Sequence, residues 1–172
     1  IQLSPVLGGE KQAEHIYLHD EGWYTARGVT VLRDEKAIAV NVNAREVQTS
    51  VRKLGWDVLV FATGSTPFVP PVPGGDAPHV FTFRTLAETR AIQNISGPAV
   101  VLGGGVLGVE TAAALACKGD NVTLVHRGPW LMEQQLDQQA GLLLEEALAA
   151  RGVRCELTSG ITAITDDAVT LL

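Results

Sequence analysis

A cluster of glycines at residues 103–108 constrains the fold of this chain more than any other feature of its sequence. The cluster follows a short apolar run at Ala99–Leu102, and an alanine-rich run at Val109–Lys118 comes after it and stops at Gly119. Apolar strands of this kind are typical of a parallel sheet that is buried on both faces. A second apolar run at Asn121–His126 follows at the distance expected in a βαβ unit. The pattern predicts a strand, a tight turn, a helix and a second parallel strand.

The glycines are spaced as Gly103-x-Gly105-x-x-Gly108, the spacing of a dinucleotide-binding turn. Gly103 would permit the turn, Gly105 would let a pyrophosphate approach the backbone, and Gly108 would let helix and strand pack closely. The anion would lie on free N–H groups at the positive end of the helix dipole. Val106 and Leu107 would offer two of these N–H groups, although their side chains could equally be plain core.

Three further residues near the turn are candidates for the same site. Glu110 falls in the first helical turn, where a carboxylate complements the helix dipole by about 0.3–1 kcal/mol. His126 and Arg127 stand at the end of the second strand, where an NAD-specific site has Asp or Glu for the ribose 2′-hydroxyl. Since neither is acidic, Arg127 could accept a 2′-phosphate and favour NADPH, or it could be a solvated surface cation. The residues predict an NAD(P)H site with His126 and Arg127 at its ribose end.

Composition and charge narrow the classes of protein to which the chain can belong. Its 172 residues are 46% hydrophobic and 19% charged, which is ordinary for a globular protein. A net charge of −6 without a long basic run argues against nucleic acid or an anionic membrane surface as a partner. No apolar run reaches the roughly 18 residues of a membrane span, and no signal peptide begins the chain. Cytoplasmic residence is therefore expected.

Cysteine and histidine usage indicates neither a metal site nor a dithiol centre. The only cysteines, Cys117 and Cys155, exclude a C-x-x-C pair, a four-cysteine zinc site and a cysteine-ligated iron–sulfur cluster within this segment. Cys117 falls in the small-residue helix and Cys155 in an apolar strand, so both are predicted to be buried structural thiols. The four histidines show no metal-binding spacing, and no metal site is expected.

The region before the glycine turn is predicted to mix short helices and strands. Asp20 could cap a helix over Glu21–Ala26. Apolar or alternating patterns predict strands at residues 29–32, 36–43, 46–51 and 57–62. The two middle strands would form a small antiparallel meander. Five prolines within residues 67–78 predict a stiff surface connection, because proline disfavours a helix and a central strand.

Helix caps and apolar runs organise the rest of the chain. Thr85 and Glu88 fit a capping box that opens a helix ending before Gly97. Asp137 can cap a helix over Gln138–Arg151. This helix is predicted to cover the core with one face, made of Leu142, Leu143, Ala147, Leu148 and Ala150. Further strands are predicted at residues 153–157, 161–165 and 169–172.

Two nucleotide-domain signatures therefore occur in a fixed order. A strand-like run ends in Thr63-Gly64-Ser65, the proline-rich stretch follows, and the glycine turn comes next. This order resembles the superfamily of two-dinucleotide-binding flavoproteins, in which an NAD(P)H domain interrupts an FAD domain. The resemblance implies that Thr63, Gly64 and Ser65 contact FAD in the complete protein. It also implies that Glu110 lies near the meeting point of nicotinamide and flavin, with a positioning or electrostatic role.

Three finer stretches are similar to one branch of that superfamily. They are Leu3–Glu10, the residues around Leu18–Tyr24, and Leu131–Asp137, which reads Leu-Met-Glu-Gln-Gln-Leu-Asp. Together they resemble the nicotinamide- and FAD-binding part of assimilatory nitrite reductase large subunits and of the electron-transfer subunits of assimilatory nitrate reductases. This resemblance implies FAD and NADH as cofactors. It also implies siroheme, iron–sulfur or molybdenum-containing reductase parts as partners, which would receive electrons from NADH through FAD.

These inferences predict an α/β fold made of two incomplete parts. Residues 1–83 would be a partial FAD-binding segment with its proline-rich linker, and residues 84–172 a Rossmann-type NAD(P)H domain that stops before its last strand. No glycine turn for FAD precedes the segment, so the isolated chain is expected to be inactive. The strand at Ala99–Leu102 would then be an exposed edge, which favours a homodimer.

Two alternatives stay open at this point. The chain could be a non-catalytic module that binds a dinucleotide or serves only a structural role. It could also be part of another flavoprotein of the same superfamily, such as a ferredoxin or rubredoxin reductase. The resemblance to nitrite and nitrate reductases favours NADH, whereas Arg127 alone favours NADPH.

Overall fold

Residues 2–172 are described by the structure, a computed structural model, and they form an α/β fold as predicted. The helices are α1 (Leu3–Leu7), α2 (Glu21–Thr25), α3 (Leu86–Gln93), α4 (Val106–Lys118) and α5 (Gln138–Ala149), with a 3-10 turn at Ala13–Ile16. The strands are β1 (Ala37–Asn41), β2 (Glu46–Thr49), β3 (Lys53–Gly55), β4 (Ala99–Leu102), β5 (Val122–Val125), β6 (Val153–Glu156), β7 (Ile161–Ile164) and β8 (Val169–Leu171). Residues Tyr17–Thr66 form a smaller unit, and the flanking residues up to Ile16 and from Pro67 onward form a larger one.

A three-stranded parallel sheet in the order β4-β5-β6 is the centre of the larger unit. Its middle strand is fully buried at Val122 and Leu124, as the continuous apolar pattern predicts. The predicted strands and the βαβ connection through α4 are therefore confirmed. Helix α4 begins at Val106, three residues earlier than predicted, because Gly105 takes the N-cap position and the turn passes directly into the helix. Its end at Gly119, with φ of +96°, is as predicted.

The sheet leaves β4 at its edge, since no strand among residues 2–172 pairs with its outer side. Val100 and Leu102 on this strand are partly exposed. The exposed edge is as expected, and the homodimer through it stays a prediction. After β6 the chain forms an antiparallel hairpin of β7 and β8.

Helix α5 turns a different face to the core than the sequence predicts. Leu142 and Leu143 are 46% and 61% exposed, whereas Gly141 is buried and Leu148 is almost fully so. The reason is a close contact at Gly141, where a Cβ atom would lie 2.6 Å from Cδ1 of Trp130. Gly141, the one glycine of α5, therefore faces the loop that precedes the helix. Hydrophobic periodicity cannot reveal such a contact.

The smaller unit contains an antiparallel meander with strand order β1-β2-β3. The first two strands were predicted, whereas the third, Lys53–Gly55, was not. The predicted helix after Asp20 is also present, and the Asp20 carboxylate accepts the N–H of Trp23 at 2.8 Å. The strands predicted at residues 29–32 and 57–62 are wrong, because neither segment pairs with a strand in residues 17–66, and residues 57–58 form a bend. Val58 and Val60 are consequently exposed. An extended segment becomes a strand only through hydrogen bonds to a neighbour.

The two cysteines differ in burial. Cys117 is exposed, so its prediction as a buried thiol is wrong; it lies on the outer side of α4, among residues whose small size suggested burial. Cys155 is partly buried in β6, and this burial raises the pKa of its thiol. Both cysteines are free thiols. None of the helices in residues 2–172 is long and apolar enough to cross a membrane.

The capping box that opens α3 is confirmed. Thr85 Oγ1 accepts the N–H of Glu88, and the Glu88 carboxylate accepts the N–H of Thr85 at 2.7 Å. The hydroxyl of Thr82 donates to the same carboxylate, as does the N–H of Arg84. Thr82 is the main cause that lowers the pKa of Glu88 from its ordinary value of 4.5, and the hydrogen bonds from Thr85 and Arg84 add to it.

Glu88→Ala is expected to lower the free energy of unfolding by about 1 kcal/mol at neutral pH, because alanine removes the side-chain acceptor of the capping box, which glutamine would keep. Because the pKa of Glu88 is lowered in the folded state, its stabilisation is complete above pH 4.5 and is lost as the pH falls through the folded-state pKa. Urea unfolding at pH 7 and pH 3.5 should show a smaller difference between variant and wild type at the lower pH. An equal difference at both would contradict this role.

Candidate functional site

The glycine turn lies at the carboxyl end of β4 and is tied to β5. Gly103 has a φ of +106°, which favours glycine, and its N–H donates to the carbonyl of Val125 at 2.9 Å. Gly108 lies in the first turn of α4, where a Cβ atom would stand 1.8 Å from the carbonyl oxygen of Gly103. Only glycine allows this approach. The turn and the close packing thus have the geometry that the spacing of the glycines predicts.

The helix that follows offers open N–H groups. Gly105 is the N-cap of α4, and no side chain caps the helix. The first N–H groups of a helix have no acceptor within it. Val106 and Leu107 belong to this first turn, and their side chains are each 48% exposed, so neither is in the core. A Cβ atom on Gly105 would have no neighbour within 4 Å.

This arrangement fits a pyrophosphate. An uncapped helix end presents N–H donors and a positive dipole to an anion. The backbone at Gly105 is bare on its outer side, which lets phosphate oxygens come close to it. No side-chain carboxylate caps this helix end or competes for its N–H groups. The residues present can therefore hold a dinucleotide through its phosphates.

Glu110 is joined to a segment far away in the sequence. Ser4 in α1 donates its hydroxyl to Oε2 of Glu110 at 2.7 Å, and the carboxylate is otherwise exposed. Helix α1 packs on α3 and α4 within the larger unit, with Val6 and Leu7 buried. Because α4 begins at Val106, no acidic residue lies in its first turn, and the prediction that places Glu110 there is wrong. Sequence reasoning did not identify Ser4 as a partner, because no pattern links residues so far apart.

His126 faces the glycine turn rather than solvent. Its side chain is 12% exposed, and its Nδ1 accepts the N–H of Gly104 at 3.0 Å. Its Nε2 lies 2.7 Å from Oε2 of Glu133. Since Nδ1 is an acceptor, the ring proton is on Nε2 and is donated to Glu133. A Cβ atom on Gly104 would stand 2.6 Å from Cγ of His126, so glycine is required there too.

Glu133 keeps its charge at this position. Its own backbone N–H is the main cause that lowers the pKa of Glu133, and the hydrogen bond from His126 lowers it further. Sequence reasoning missed Glu133 as a site residue. The stretch from Leu131 to Asp137 was recognised only as a family resemblance, although it contains Glu133.

That stretch packs directly against the glycine turn. Leu131 is fully buried, and the N–H of Met132 donates to the carbonyl of Gly104 at 2.8 Å. Trp130 donates its indole N–H to the carbonyl of Leu136 at 3.0 Å. The loop therefore packs against the glycine turn. At the end of the loop, the Asp137 carboxylate caps α5 by accepting the N–H of Ala140.

Arg127 extends from the same strand end toward solvent. Its side chain lies along Gly160, where a Cβ atom would be 3.1 Å from Nε of Arg127. The N–H of Ser159 donates to the carbonyl of His126 at 3.0 Å and joins the loop after β6 to this strand end. Among residues 2–172, no carboxylate lies within salt-bridge distance of Arg127.

The residues predicted to contact FAD lie in the smaller unit. Thr63, Gly64 and Ser65 are exposed, and Gly64 has a φ of +72°. Residues 57–66 make no backbone hydrogen bond to any other described residue. By itself this segment forms no cradle comparable to the glycine turn, and its contact with FAD stays a prediction.

A family model described as "Pyridine nucleotide-disulphide oxidoreductase" matches residues 1–172. The chain belongs to this family. The predicted membership in the superfamily of flavoproteins with two dinucleotide-binding domains is thereby confirmed.

The curated relatives of this family member include components of nitrate and nitrite reduction. The chain is 37% identical over 157 residues to the assimilatory nitrate reductase electron transfer subunit of Bacillus subtilis, which covers 89% of this chain and 20% of that protein. It is 38% identical over 157 residues to nitrite reductase [NAD(P)H] of the same organism, with the same two coverages. The predicted resemblance is confirmed. The chain spans about a fifth of the length of these relatives.

Solved structures show the same fold. The putidaredoxin reductase in its covalent complex with putidaredoxin superposes with a TM-score of 0.87 at 28% identity, covering 99% of this chain and 44% of that one. The predicted fold class therefore has a direct structural counterpart among reductases.

Two glycines of the turn form a matched pair for testing its construction. Gly108→Ala is expected to lower the free energy of unfolding by about 1–3 kcal/mol or more, because the new methyl overlaps the carbonyl of Gly103. Gly105→Ala should change it by no more than about 0.5 kcal/mol, since the methyl enters open space. Urea unfolding of both variants measures the difference. Equal stability of the two would refute the close approach at Gly108.

Proposed function

We propose that this chain is the nicotinamide-dinucleotide-binding part of an FAD-dependent NAD(P)H oxidoreductase. The observation that carries the proposal is the open N-terminus of α4 behind the turn of Gly103, Gly105 and Gly108. Residues 84–172 would form the NAD(P)H-binding domain, and residues 1–83 a partial FAD-binding segment with its linker. NADH is the proposed nucleotide, with NADPH as the competing possibility because of Arg127.

The residues of the turn would bind and orient the dinucleotide. The N–H groups of Val106 and Leu107 would donate to the pyrophosphate, and Gly105 would let it approach. His126 would keep the turn in shape through the N–H of Gly104, at 3.0 Å. When bound, nicotinamide and flavin supply the hydride chemistry, so the chain itself contributes binding, orientation and electrostatics.

Glu110 would act near the reactive end of the nucleotide. Two observations support this: Glu110 lies one helical turn into α4, and its carboxylate accepts the hydroxyl of Ser4 at 2.7 Å. Such a group positions a ligand or tunes its electrostatic surroundings without reacting. Thr63, Gly64 and Ser65 would contact FAD in the complete protein, and this proposal rests on family membership and not on a formed cradle.

The complete protein would pass electrons from NAD(P)H through FAD to a nitrite- or nitrate-reducing centre in the cytoplasm. The names of the B. subtilis relatives support this, since one is an electron transfer subunit and the other a nitrite reductase. Siroheme, iron–sulfur or molybdenum-containing parts would be the acceptors.

A second candidate is a module that binds a nicotinamide nucleotide without flavin. The segment at residues 57–66 is largely exposed and makes no backbone hydrogen bond to another described residue, which favours a module without flavin for the isolated chain. A ferredoxin- or rubredoxin-type reductase is a further candidate for the complete protein, supported by the match to putidaredoxin reductase. A flavin absorbance spectrum of the complete protein distinguishes the first two, because only the flavoprotein would carry bound FAD.

Calorimetric titration with NADH and NADPH tests the proposed function. The wild-type chain is expected to bind at least one nucleotide, and Gly105→Ala should weaken that binding about tenfold or more, because its methyl occupies the phosphate position. The melting temperature of this variant should match the wild type. A folded wild-type chain that binds neither nucleotide would contradict the proposal, as would unchanged binding by Gly105→Ala.

A further inference from the structure

The end of β5 carries no Asp or Glu that could bind a ribose hydroxyl. A carboxylate from the loop that follows β5 lies beside this strand end instead. In dinucleotide-binding folds an Asp or Glu about 20 residues after the glycine turn accepts the 2′-hydroxyl of the adenosine ribose. His126 occupies that strand end in this chain. The carboxylate of Glu133, from the following loop, lies 2.7 Å from Nε2 of His126.

His126 has no hydrogen-bonding group left for a ribose. Its Nδ1 accepts the N–H of Gly104, and its Nε2 proton goes to Glu133. The ring is also 12% exposed, whereas the side chain of Glu133 is 32% exposed. The ligand-accessible member of this pair is therefore Glu133, while His126 is engaged with the protein on both sides.

The chain around Glu133 is built to hold its carboxylate at the strand end. A Cβ atom on Gly128 would stand 2.5 Å from Nε2 of His126 and 2.9 Å from Cδ of Glu133, so the pair fills the space of a side chain there. The N–H of Met132 donates to the carbonyl of Gly104 at 2.8 Å and fixes the preceding residue against the glycine turn. The acid is thus tied to the turn through Met132 and through His126.

No lysine or arginine among residues 2–172 lies within salt-bridge distance of the Glu133 carboxylate. Its one described side-chain partner is His126, at 2.7 Å. A carboxylate in this state accepts hydroxyl donors and repels a phosphate. The neighbouring Arg127, which lies along Gly160, would have the opposite preference.

We propose that Glu133 is a specificity-determining residue that accepts the 2′-hydroxyl of the adenosine ribose and disfavours a 2′-phosphate. His126 is the positioning residue that holds this carboxylate at the strand end. The assignment rests on the proposed function and deepens it, since it makes NADH the preferred nucleotide despite Arg127. The acid is supplied by the loop after β5 instead of by the strand itself.

A thermodynamic cycle tests the assignment on the 172-residue chain. Dissociation constants are measured by calorimetry for NADH, for NADPH and for NADH whose adenosine ribose lacks the 2′-hydroxyl. The proteins are the wild type, Glu133→Gln and the control Glu146→Gln. The control removes a charge from the exposed side of α5. Gln at position 133 can still accept the Nε2 proton of His126, so the loop should keep its conformation.

The wild type is expected to bind the 2′-deoxy analogue about tenfold more weakly than NADH, the size of a hydrogen bond to a charged group. Glu133→Gln should bind NADH about tenfold more weakly and discriminate less against the analogue, because a neutral amide forms a weaker hydrogen bond to a hydroxyl than a carboxylate does. It should bind NADPH at least as well as the wild type does. Glu146→Gln should behave as the wild type.

Two results would overturn the assignment while leaving the proposed function intact. One is a wild type that binds NADH and the 2′-deoxy analogue equally, which needs no variant to fold. The other is a Glu133→Gln variant that keeps the wild-type preference between NADH and NADPH. A folded wild type that binds none of the three nucleotides overturns both the assignment and the proposed function.

Discussion

The close approach of α4 to the carbonyl of Gly103 is the contact on which the larger unit depends. A Cβ atom on Gly108 would stand 1.8 Å from that oxygen, so the helix can start where it does only because the residue is glycine. This start directs the first N–H groups of α4 outward and leaves the N-cap without a side chain. The same geometry therefore permits the βαβ packing and leaves open the N–H groups that the proposed function assigns to a pyrophosphate.

A second layer of contacts keeps the turn in that shape. The N–H of Gly104 donates to Nδ1 of His126, and the carbonyl of Gly104 accepts the N–H of Met132. The turn is thus held by the end of β5 and by the loop that follows it. Two contacts stabilise this loop: the side chain of Leu131 is fully buried, and the carboxylate of Asp137 caps α5. The Leu-Met-Glu-Gln-Gln-Leu-Asp stretch has a structural role that its family resemblance did not explain.

Sequence reasoning succeeded where the signal is local and failed where it is not. The strand before the glycines, the capping box of α3 and the C-terminal end of α4 at Gly119 depend on residues a few positions apart, and all three were predicted. The run at residues 57–62 has the composition of a strand but no partner in the smaller unit. The buried face of α5 was also mispredicted, because the contact of Gly141 with Trp130 decides it. Both failures concern pairing and packing, which a local pattern does not contain.

The sequence by itself determined the positions of the turn glycines, the parallel strands and the helix caps, because these follow from backbone conformation and short-range hydrogen bonds. It also placed His126 and Arg127 at the end of β5. Only the tertiary structure decided that His126 turns inward to Gly104 and that Glu133 stands beside it. Side-chain direction at a strand end depends on which segments pack around it. Here those segments are joined by contacts that span 22 residues in one case and 7 in the other.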